Sequence, residues 1–370
     1  LPLTNVYNKK VLFITSSLTD GGAEKVMSIL SSQCAELGAD VTLVALRDKK
    51  HVYKISDKVN FIQIKTKYKN SLIKVIERCI ILRKVLKNCE AKTIISFLPI
   101  NTLYVMISKI GLKRKLIISE RANPNRSIFE PNISLKDRIG IFIFRKLRLY
   151  SFADWIVFQT PDAKSYYSKK MQEKSCIIVN PLNTSDLPYR YKGERSKIIV
   201  AAGRLSEEKN FSMLIQAFSE FHKVYNDYKL IIYGEGKLRS ELENQIKENN
   251  LEHHISMPGF VDDLSNKINN ASMYISTSNH EGISNSMIEA LGMGIPTIAT
   301  DCPVGGSRMF VNTDKTGILI PMNDHKSLLK AMIKIVSDSE YREKISLGAE
   351  KIREKVSGKD ISLKWLDLVE

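Results

Sequence analysis

Residues 271–291 read ASMYISTSNHEGISNSMIEAL: an apolar run of strand length, then a polar loop, then a helical pattern. The loop sequence Asn279-His280-Glu281-Gly282 is unsuited to the interior of a helix or a strand. Glu281 and Glu289 lie eight residues apart across the change from loop to helix, so both carboxylates can point into one site beside the N–H groups of the helix N-terminus. Glu281 is therefore predicted to serve a ligand. Glu289 also fits a capping box with Ser286, which would be a purely structural role.

The same succession of strand, loop and helix recurs along the whole chain. Apolar runs of strand length alternate with longer segments of helical period, which is typical of parallel sheets covered by helices. The predicted strands of the first half are 11–15, 41–46, 61–64, 93–97, 116–119, 155–159 and 176–179. Those of the second half are 198–202, 229–233, 255–257, 273–276, 296–299 and 317–320.

A polar segment, residues 180–195, contains Pro181 and Pro188 and shows no sustained period. We interpret it as the linker between an N-terminal domain, residues 1–188, and a C-terminal domain, residues 189–370. Because open parallel sheets bind ligands at the carboxyl ends of their strands, a large ligand is expected in the cleft between the domains. The predicted fold class is α/β with two doubly wound domains.

Two further strands run into turns suited to an anion. After strand 11–15 the chain reaches Gly21 and Gly22, where glycine lets backbone N–H groups approach a phosphate at a helix N-terminus. A tight turn is the commoner reason for an isolated glycine pair. After strand 198–202 come Gly203, Arg204 and Lys209, whose guanidinium and ammonium groups together suit a diphosphate. The alternative is an ordinary pair of surface cations.

The charge of the chain is unevenly distributed. The 370 residues include 56 Lys and Arg against 40 Asp and Glu, a formal charge of +16. Residues 1–190 carry +18 of this charge and residues 191–370 carry −2. The N-terminal half is therefore expected to meet an anionic partner: nucleic acid, phospholipid headgroups or a diphosphate substrate. No helix-turn-helix, zinc-finger or RNP-type pattern accompanies the charge, which disfavours nucleic acid.

Two basic segments of this half suit a membrane surface. Residues 65–92 carry nine Lys or Arg against two Glu around the helical pattern of residues 72–86, and residues 136–150 place cations around an apolar run. Helices of this kind lie in a bilayer interface with their basic side chains at the headgroup phosphates. A core helix with solvated ends is an equally good interpretation of each segment.

Neither disulfides nor a metal site is indicated. The five cysteines are widely spaced and form no Cys-x-x-Cys pair, which fits a reducing compartment. There is no Asp-x-Asp, His-x-x-x-His or other metal-ligand spacing. We therefore expect no metal cofactor, and a bound diphosphate would be neutralised by Arg, Lys and helix dipoles.

In their order and spacing, the motifs of this chain resemble those of one family over nearly the whole length. The ordered set is Gly21-Gly22-Ala23-Glu24-Lys25, Gly203-Arg204-Leu205 with Lys209-Asn210, Gly234-Glu235-Gly236, Gly259-Phe260-Val261, Glu281-x7-Glu289, Gly294-x-Pro296 and Gly317-Ile318-Leu319. It resembles the family-4 retaining glycosyltransferases of GT-B architecture. The resemblance implies two Rossmann-like domains facing an interdomain cleft, with the nucleotide-sugar donor on the C-terminal domain and the acceptor on the N-terminal one. It also implies that the final helix, about residues 358–370, packs back on the N-terminal domain.

The resemblance assigns roles to individual residues. Arg204 and Lys209 would bind the donor diphosphate and Glu281 the hydroxyls of the transferred sugar, and these three are the expected catalytic residues. The expected donor-binding residues are Gly21, Gly22, Gly203, Phe260, Val261, Gly282, Ile283, Ser284, Asn285 and Glu289. The expected acceptor-binding residues are Glu120, Arg121 and Asn123.

Arg121 departs from the family pattern, because many members carry a His at this position. A guanidinium cannot act as a general base at neutral pH. The front-face mechanism proposed for the family needs no such base, since the leaving diphosphate takes the proton of the acceptor hydroxyl. Either catalysis needs no side-chain base, or Arg121 serves the acceptor phosphates instead.

The segments Gly21-Gly22-Ala23-Glu24-Lys25 and Ser119-Glu120-Arg121-Ala122-Asn123-Pro124 look most like those of bacterial enzymes that extend undecaprenyl-diphosphate-linked O-antigen or glycan precursors. This resemblance implies α-linked transfer of N-acetylgalactosamine from a UDP donor to a lipid-diphosphate-linked sugar. It also implies a cytoplasmic location on the inner face of the cytoplasmic membrane. The alternatives are a soluble retaining transferase that acts on a free sugar or small metabolite, and a basic nucleic-acid-binding protein.

Overall fold

The structure, a computed structural model, describes residues 6–19, 21–49, 52–68, 70–121 and 149–370. The chain divides into two compact units: unit 1 comprises Leu1–Pro181 and Ser357–Glu370, and unit 2 comprises Leu182–Val356. Each unit is built on a parallel β-sheet.

Unit 1 contains a seven-stranded sheet with strand order β3-β2-β1-β4-β5-β6-β7. The strands are β1 (Lys10–Thr15), β2 (Asp40–Ala45), β3 (Asn60–Gln63), β4 (Thr93–Phe97), β5 (Lys115–Ser119), β6 (Trp155–Phe158) and β7 (Ser175–Ile177). The helices from the first part of the chain are α1 (Gly22–Glu36), α2 (Ser71–Asn88), α3 (Pro99–Ser108), α4 (Pro161–Ser165) and α5 (Lys169–Glu173).

Unit 2 contains a six-stranded sheet with strand order β10-β9-β8-β11-β12-β13. The strands are β8 (Ser196–Ala202), β9 (Lys229–Tyr233), β10 (Ile255–Gly259), β11 (Ala271–Ser276), β12 (Thr297–Thr300) and β13 (Ile318–Ile320). The helices are α6 (Phe211–His222), α7 (Arg239–Glu248), α8 (Leu264–Ile268), α9 (Asn285–Gly292), α10 (His325–Ser337), α11 (Ser339–Glu350) and α12 (Ile352–Lys355). The last helix, α13 (Gly358–Leu366), belongs to unit 1.

The strands of unit 1 are apolar because helices cover the sheet. Every residue of β1 after Lys10 is buried, and so is all of β4, as expected for a parallel sheet between helix layers. Helix α13 packs against α1, and its Trp365 ring is buried 5.6 Å from the ring of Phe97. The final segment of the chain is therefore part of the core of unit 1.

The predicted α/β class is confirmed. All thirteen predicted strands are present, and each begins and ends within two residues of its prediction. The helical pattern at residues 72–86 forms α2. Residues 136–148 of the second basic segment lie outside the described residues.

The boundary between the units lies between Pro181 and Leu182 rather than at the predicted 188/189. Arg353 on α12 explains the difference, because it holds the segment that follows Pro181. Its guanidinium donates to the carbonyl oxygens of Thr184 (2.8 Å), Leu187 (3.0 Å) and Pro188 (2.7 Å). Leu182 and Leu187 are buried, so this segment is part of unit 2.

Replacing Arg353 by leucine should destabilise unit 2. Hydrogen bonds from a charged donor contribute about 1.5–3 kcal/mol each and are not additive, so we expect the Arg353→Leu variant to lose about 2–4 kcal/mol. Thermal unfolding followed by circular dichroism measures the loss. The matched control is Lys355→Ala, an exposed position on the same short helix. Equal melting temperatures for the parent and both variants would contradict this role of Arg353.

Candidate active site

The loops that follow β8 and β11 lie side by side at the carboxyl edge of the unit 2 sheet. These strands are neighbours where the strand order reverses, which is the position at which open α/β sheets bind ligands. Hydrogen bonds to backbone oxygens join the loops: Asn279 N donates to Glu208 O and the Thr277 hydroxyl donates to Lys209 O, both at 2.7 Å. The structure thus brings together the two segments that the sequence singled out separately.

Lys209 and Glu281 form an ion pair across these loops. Lys209 Nζ donates to Glu281 Oε2, and the Ser278 hydroxyl donates to the same oxygen at 3.1 Å. The two charged side chains are 17% and 20% exposed, so solvent still reaches both. No hydrogen bond to Glu281 Oε1 occurs among the residues that the structure describes. That oxygen can accept a ligand hydroxyl.

Arg204 lies on a backbone turn that is fixed by close packing. Gly203 N donates to Tyr233 O at 2.9 Å. A Cβ at Gly234, whose φ is 138°, would overlap the carbonyl oxygen of Gly203, so position 234 requires glycine for both its space and its conformation. The Arg204 side chain is exposed and has no polar partner within the described part of the chain. It can therefore bind an anion without breaking an existing ion pair.

Helix α9 begins directly after the loop that carries Glu281. Its N-cap is Ser284, whose Oγ accepts the Met287 N–H at 3.4 Å. A capping box of Ser286 and Glu289 would need the helix to begin two residues later, so that interpretation of Glu289 is wrong. Glu289 lies inside the helix, is buried, and accepts a hydrogen bond from the Ser265 hydroxyl at 3.5 Å.

Seven of the predicted donor residues lie after three strands of unit 2. Phe260 follows β10 and is exposed, while Val261 beside it is half-buried. An exposed ring at the end of a strand is suited to stack on a base. The others are Gly203 after β8, and Gly282, Ile283, Ser284 and Asn285 around the N-terminus of α9.

The Glu281 loop is also held by the segment that follows β12. Glu281 N donates to Pro303 O at 3.1 Å, and Val304 N donates to Glu281 O at 3.3 Å. A Cβ at Gly306 would overlap the carbonyl oxygen of Gly282, so the two backbones approach closely only because residue 306 is glycine. Burial raises the pKa of the nearby Cys302 to about 11, which keeps its thiol protonated at neutral pH.

In unit 1, Gly21 and Gly22 lie where α1 begins after β1, as the sequence predicts for an anion-binding turn. The Glu24 carboxylate lies against the same turn: the Ser16 hydroxyl donates to it at 2.7 Å, and a Cβ at Gly21 would overlap it. A phosphate bound here would meet this negative charge as well as the helix dipole. As an anion-binding site, the loops of unit 2 are therefore better supported by the geometry than this turn.

Glu120, directly after β5, is buried in a hydrogen-bond network. Its carboxylate accepts hydrogen bonds from the hydroxyls of Tyr150 and Tyr167 (2.9 Å for the latter) and from Arg121 N (3.0 Å). Burial, and then the charge of Glu120, raise the pKa of Tyr150, so this phenol stays a donor at neutral pH. These donors engage both oxygens of Glu120, which favours a positioning role for it over direct contact with an acceptor.

The Arg121 guanidinium lies 3.9 Å above the ring of Phe97, and its Nη1 donates to Asn180 Oδ1. Burial lowers the pKa of Arg121 and the Glu120 charge opposes this, so the group stays protonated at neutral pH. Its Nε and Nη2 atoms are buried and have no hydrogen-bond partner among the residues that the structure describes. Buried donors are nearly always satisfied, so a ligand oxygen or a water molecule is expected beside them.

No sequence motif marks the neutral side chains that hold these groups. In unit 1 they are Tyr150, Tyr167, Gln159 and Asn180, and in unit 2 they are Ser278, Tyr274 and Ser286. A buried tyrosine in a strand has the same pattern as an apolar residue, so only the fold reveals its hydroxyl. Asn123, predicted at the acceptor site, lies outside the described residues.

The described residues contain neither a metal-ligand cluster nor a membrane-spanning helix. No group of three or more His, Cys, Asp or Glu side chains there is arranged to hold a metal ion. No helix in the described ranges is both long and apolar enough to cross a bilayer.

Residues 190–352 match the family model described as glycosyl transferases group 1. The chain is 26% identical over 367 residues to a GalNAc-alpha-(1->4)-GalNAc-alpha-(1->3)-diNAcBac-PP-undecaprenol alpha-1,4-N-acetyl-D-galactosaminyltransferase of Campylobacter jejuni, across 97% of this chain and 98% of that protein. It is 24% identical over 370 residues to the amylovoran biosynthesis glycosyltransferase AmsD of Erwinia amylovora, across 98% of this chain and 99% of that protein.

A TarM variant from Staphylococcus aureus, solved with UDP and other ligands, superposes with a TM-score of 0.78 at 15% identity. The match covers 97% of this chain and 99% of that one. A likeness at this identity shows the fold, and the predicted GT-B fold is confirmed.

Replacing Gly306 by alanine should destabilise unit 2 through the Glu281 loop. The new methyl group has no room beside the Gly282 carbonyl, and overpacking of this kind costs about 1–3 kcal/mol. Thermal unfolding measures the cost. The control is Gly193→Ala, in which the methyl group meets only the side chain of Tyr191. If the two alanine variants unfold at the same temperature, the close approach of the two backbones does not restrict residue 306.

Proposed function

We propose that this glycosyltransferase, whose residues 190–352 form a group 1 domain, transfers N-acetylgalactosamine from UDP-GalNAc to a sugar linked to undecaprenyl diphosphate. The transfer retains the configuration of the donor, gives an α-linkage and needs no metal ion. One relative is named for transfer to an undecaprenol-PP-linked glycan, which supports this acceptor class, and another is named for amylovoran biosynthesis. The observation on this chain that carries the proposal is the exposed apolar and basic surface of α2.

The donor binds, in this proposal, at the loops after β8 and β11. Arg204 is exposed and Lys209 retains further N–H groups, so both can donate to a diphosphate beside the positive end of the α9 dipole. Glu281 keeps Lys209 in place and accepts hydroxyls of the transferred sugar. Glu289 accepts hydroxyls of the ribose.

The proposed chemical step is a front-face displacement. The acceptor oxygen bonds to the anomeric carbon while the bond from that carbon to the UDP oxygen breaks, and the leaving diphosphate takes the acceptor proton. The residues of this chain contribute electrostatically, because Arg204 and Lys209 stabilise the negative charge that develops on the leaving group. Arg121, protonated and held by Asn180, donates to the acceptor phosphates.

Helix α2 gives unit 1 an exposed apolar stripe. Leu72, Ile76 and Ile80 are spaced four residues apart and are 76%, 60% and 53% exposed. Lys84 and Lys87 on the same helix are also exposed. Large apolar side chains in water beside lysines favour a helix that lies in a bilayer interface over a core helix with solvated ends. An acceptor with a lipid tail and a diphosphate head is found at such a surface.

A donor and acceptor screen tests the proposal directly. UDP-sugars and GDP-sugars are offered with a lipid-diphosphate-linked sugar, in the presence of a chelator, and the products are measured by mass spectrometry. We expect the addition of one N-acetylhexosamine from UDP-GalNAc. Transfer from a GDP-sugar alone, transfer to a free sugar alone, or a requirement for Mg²⁺ or Mn²⁺ would each contradict the corresponding part of the proposal.

Replacing Arg204 by alanine should lower kcat by about 10²–10³, because one preorganised donor to the developing charge is lost. Steady-state kinetics with the best donor of the screen measure the change. Lys247→Ala removes an exposed cation from α7 of the same unit and should leave kcat unchanged. Unchanged turnover in Arg204→Ala would show that the donor diphosphate is stabilised elsewhere.

Charges on the α2 stripe should weaken membrane binding. The double variant Leu72→Glu/Ile76→Glu removes two apolar contacts and adds repulsion, so we expect at least about a tenfold loss of affinity for anionic vesicles. Co-sedimentation with phosphatidylglycerol-containing liposomes measures it. The control is Val224→Glu, which replaces an apolar side chain by glutamate at a site of unit 2 that is 72% exposed. Equal vesicle binding by the parent and the double variant would exclude α2 as the membrane surface.

A further inference from the structure

The hydroxyl of Tyr274 contacts both segments that form the unit 2 site. Tyr274 lies on β11 and is 1% exposed. Its hydroxyl is 2.7 Å from Ser286 Oγ in the first turn of α9 and 3.3 Å from Ala202 O, the last residue of β8. The same phenol therefore contacts the residue before the Gly203–Arg204 turn and the helix that follows the Glu281 loop.

The hydrogen bonds around Tyr274 form a chain of hydroxyls that leads to Ser284. Ser286 Oγ lies 3.2 Å from Ser284 Oγ and 3.4 Å from Ala202 O. Burial raises the pKa of Tyr274, so its hydroxyl is a donor at neutral pH. When Tyr274 donates to Ser286 and Ser286 donates to Ser284, Ser284 Oγ accepts from both Ser286 and the Met287 N–H. The hydroxyl hydrogen of Ser284, at the N-terminus of α9, is then directed away from this series of hydrogen bonds.

We propose that Tyr274 is a positioning residue for the donor: through Ser286 it directs the Ser284 hydroxyl toward the diphosphate. The inference rests on the proposed function, because it concerns the same donor site. Phenylalanine at position 274 would fill the same volume in the core but could not form these hydrogen bonds. The hydroxyl is thus the part of Tyr274 that serves the site, and the ring is the part that serves packing.

The Tyr274→Phe variant tests the inference because it removes only the hydroxyl. We expect the Kd for UDP, measured by isothermal titration calorimetry, to rise about fivefold to tenfold, as for the loss of one hydrogen bond. The KM for the donor should rise by a similar factor, while kcat stays within about twofold. Ser286→Ala should have the same effect. The Kd of the double variant should be no higher than that of the weaker-binding single variant, because both changes break the same series of hydrogen bonds.

The matched control is Tyr225→Phe in the same unit. The Tyr225 hydroxyl has no hydrogen-bond partner among the described residues, so its loss should change neither Kd nor KM. A Tyr274→Phe variant that melts at a lower temperature but binds UDP as the parent does would overturn the inference, since its hydroxyl would then serve stability alone. If Tyr274→Phe does not fold, the Kd of the Ser286→Ala variant for UDP replaces it: an unchanged Kd overturns the inference and a raised Kd supports it. A parent protein that binds no UDP contradicts the proposed donor itself, which is a separate result.

Discussion

The parallel pairing of β8 with β11 is the constraint on which the candidate active site depends. The strand order reverses at this pair, so the chain leaves the two strands toward opposite sides and space opens at their carboxyl edge. Lys209 and Glu281 span that space by their ion pair, and the loops share further hydrogen bonds to backbone oxygens. A shift in the register of either strand would separate all these groups at once, because each is placed by its distance from a strand end.

The positive charges of unit 1 lie in two physically different environments. Arg121 is enclosed by Phe97, Asn180 and the neighbouring carboxylate of Glu120, so its charge acts on the group that touches it. The lysines of α2 remain in water, where a charge acts over a Debye length of about 8–10 Å and attracts a surface rather than one atom. The charge of +18 over residues 1–190 therefore does not describe one binding site. In the proposed function it combines attraction to a bilayer with recognition of one phosphate group.

The sequence predicts the strands well because a parallel sheet buries both faces, which produces continuous apolar runs such as that of β4. It also predicts the loop that carries Glu281, since a segment composed of Asn, His, Glu and Gly cannot be confused with a core element. It fails where a local motif and a distant contact compete. Ser286 and Glu289 have capping-box spacing, yet Ser284 caps the helix and Ser286 bonds instead to Tyr274, twelve residues away. The boundary between the units depends on a distant contact in the same way, because Arg353 lies 165 residues from the Pro188 carbonyl that it binds.

The division between charged and neutral groups in unit 2 follows from the cost of burial. A buried ion loses several kcal/mol of hydration unless it is paired, whereas a buried hydroxyl needs only a hydrogen-bond partner. Arg204 is accordingly exposed, Lys209 and Glu281 pair with each other at the rim, and the fully buried contact between the two loops is made by Tyr274. Neutral hydroxyls can fix the positions of the cations without neutralising them. In the proposed function, Arg204 therefore keeps its full charge for the diphosphate, whereas Lys209 is placed by the charged Glu281 and offers its remaining N–H groups.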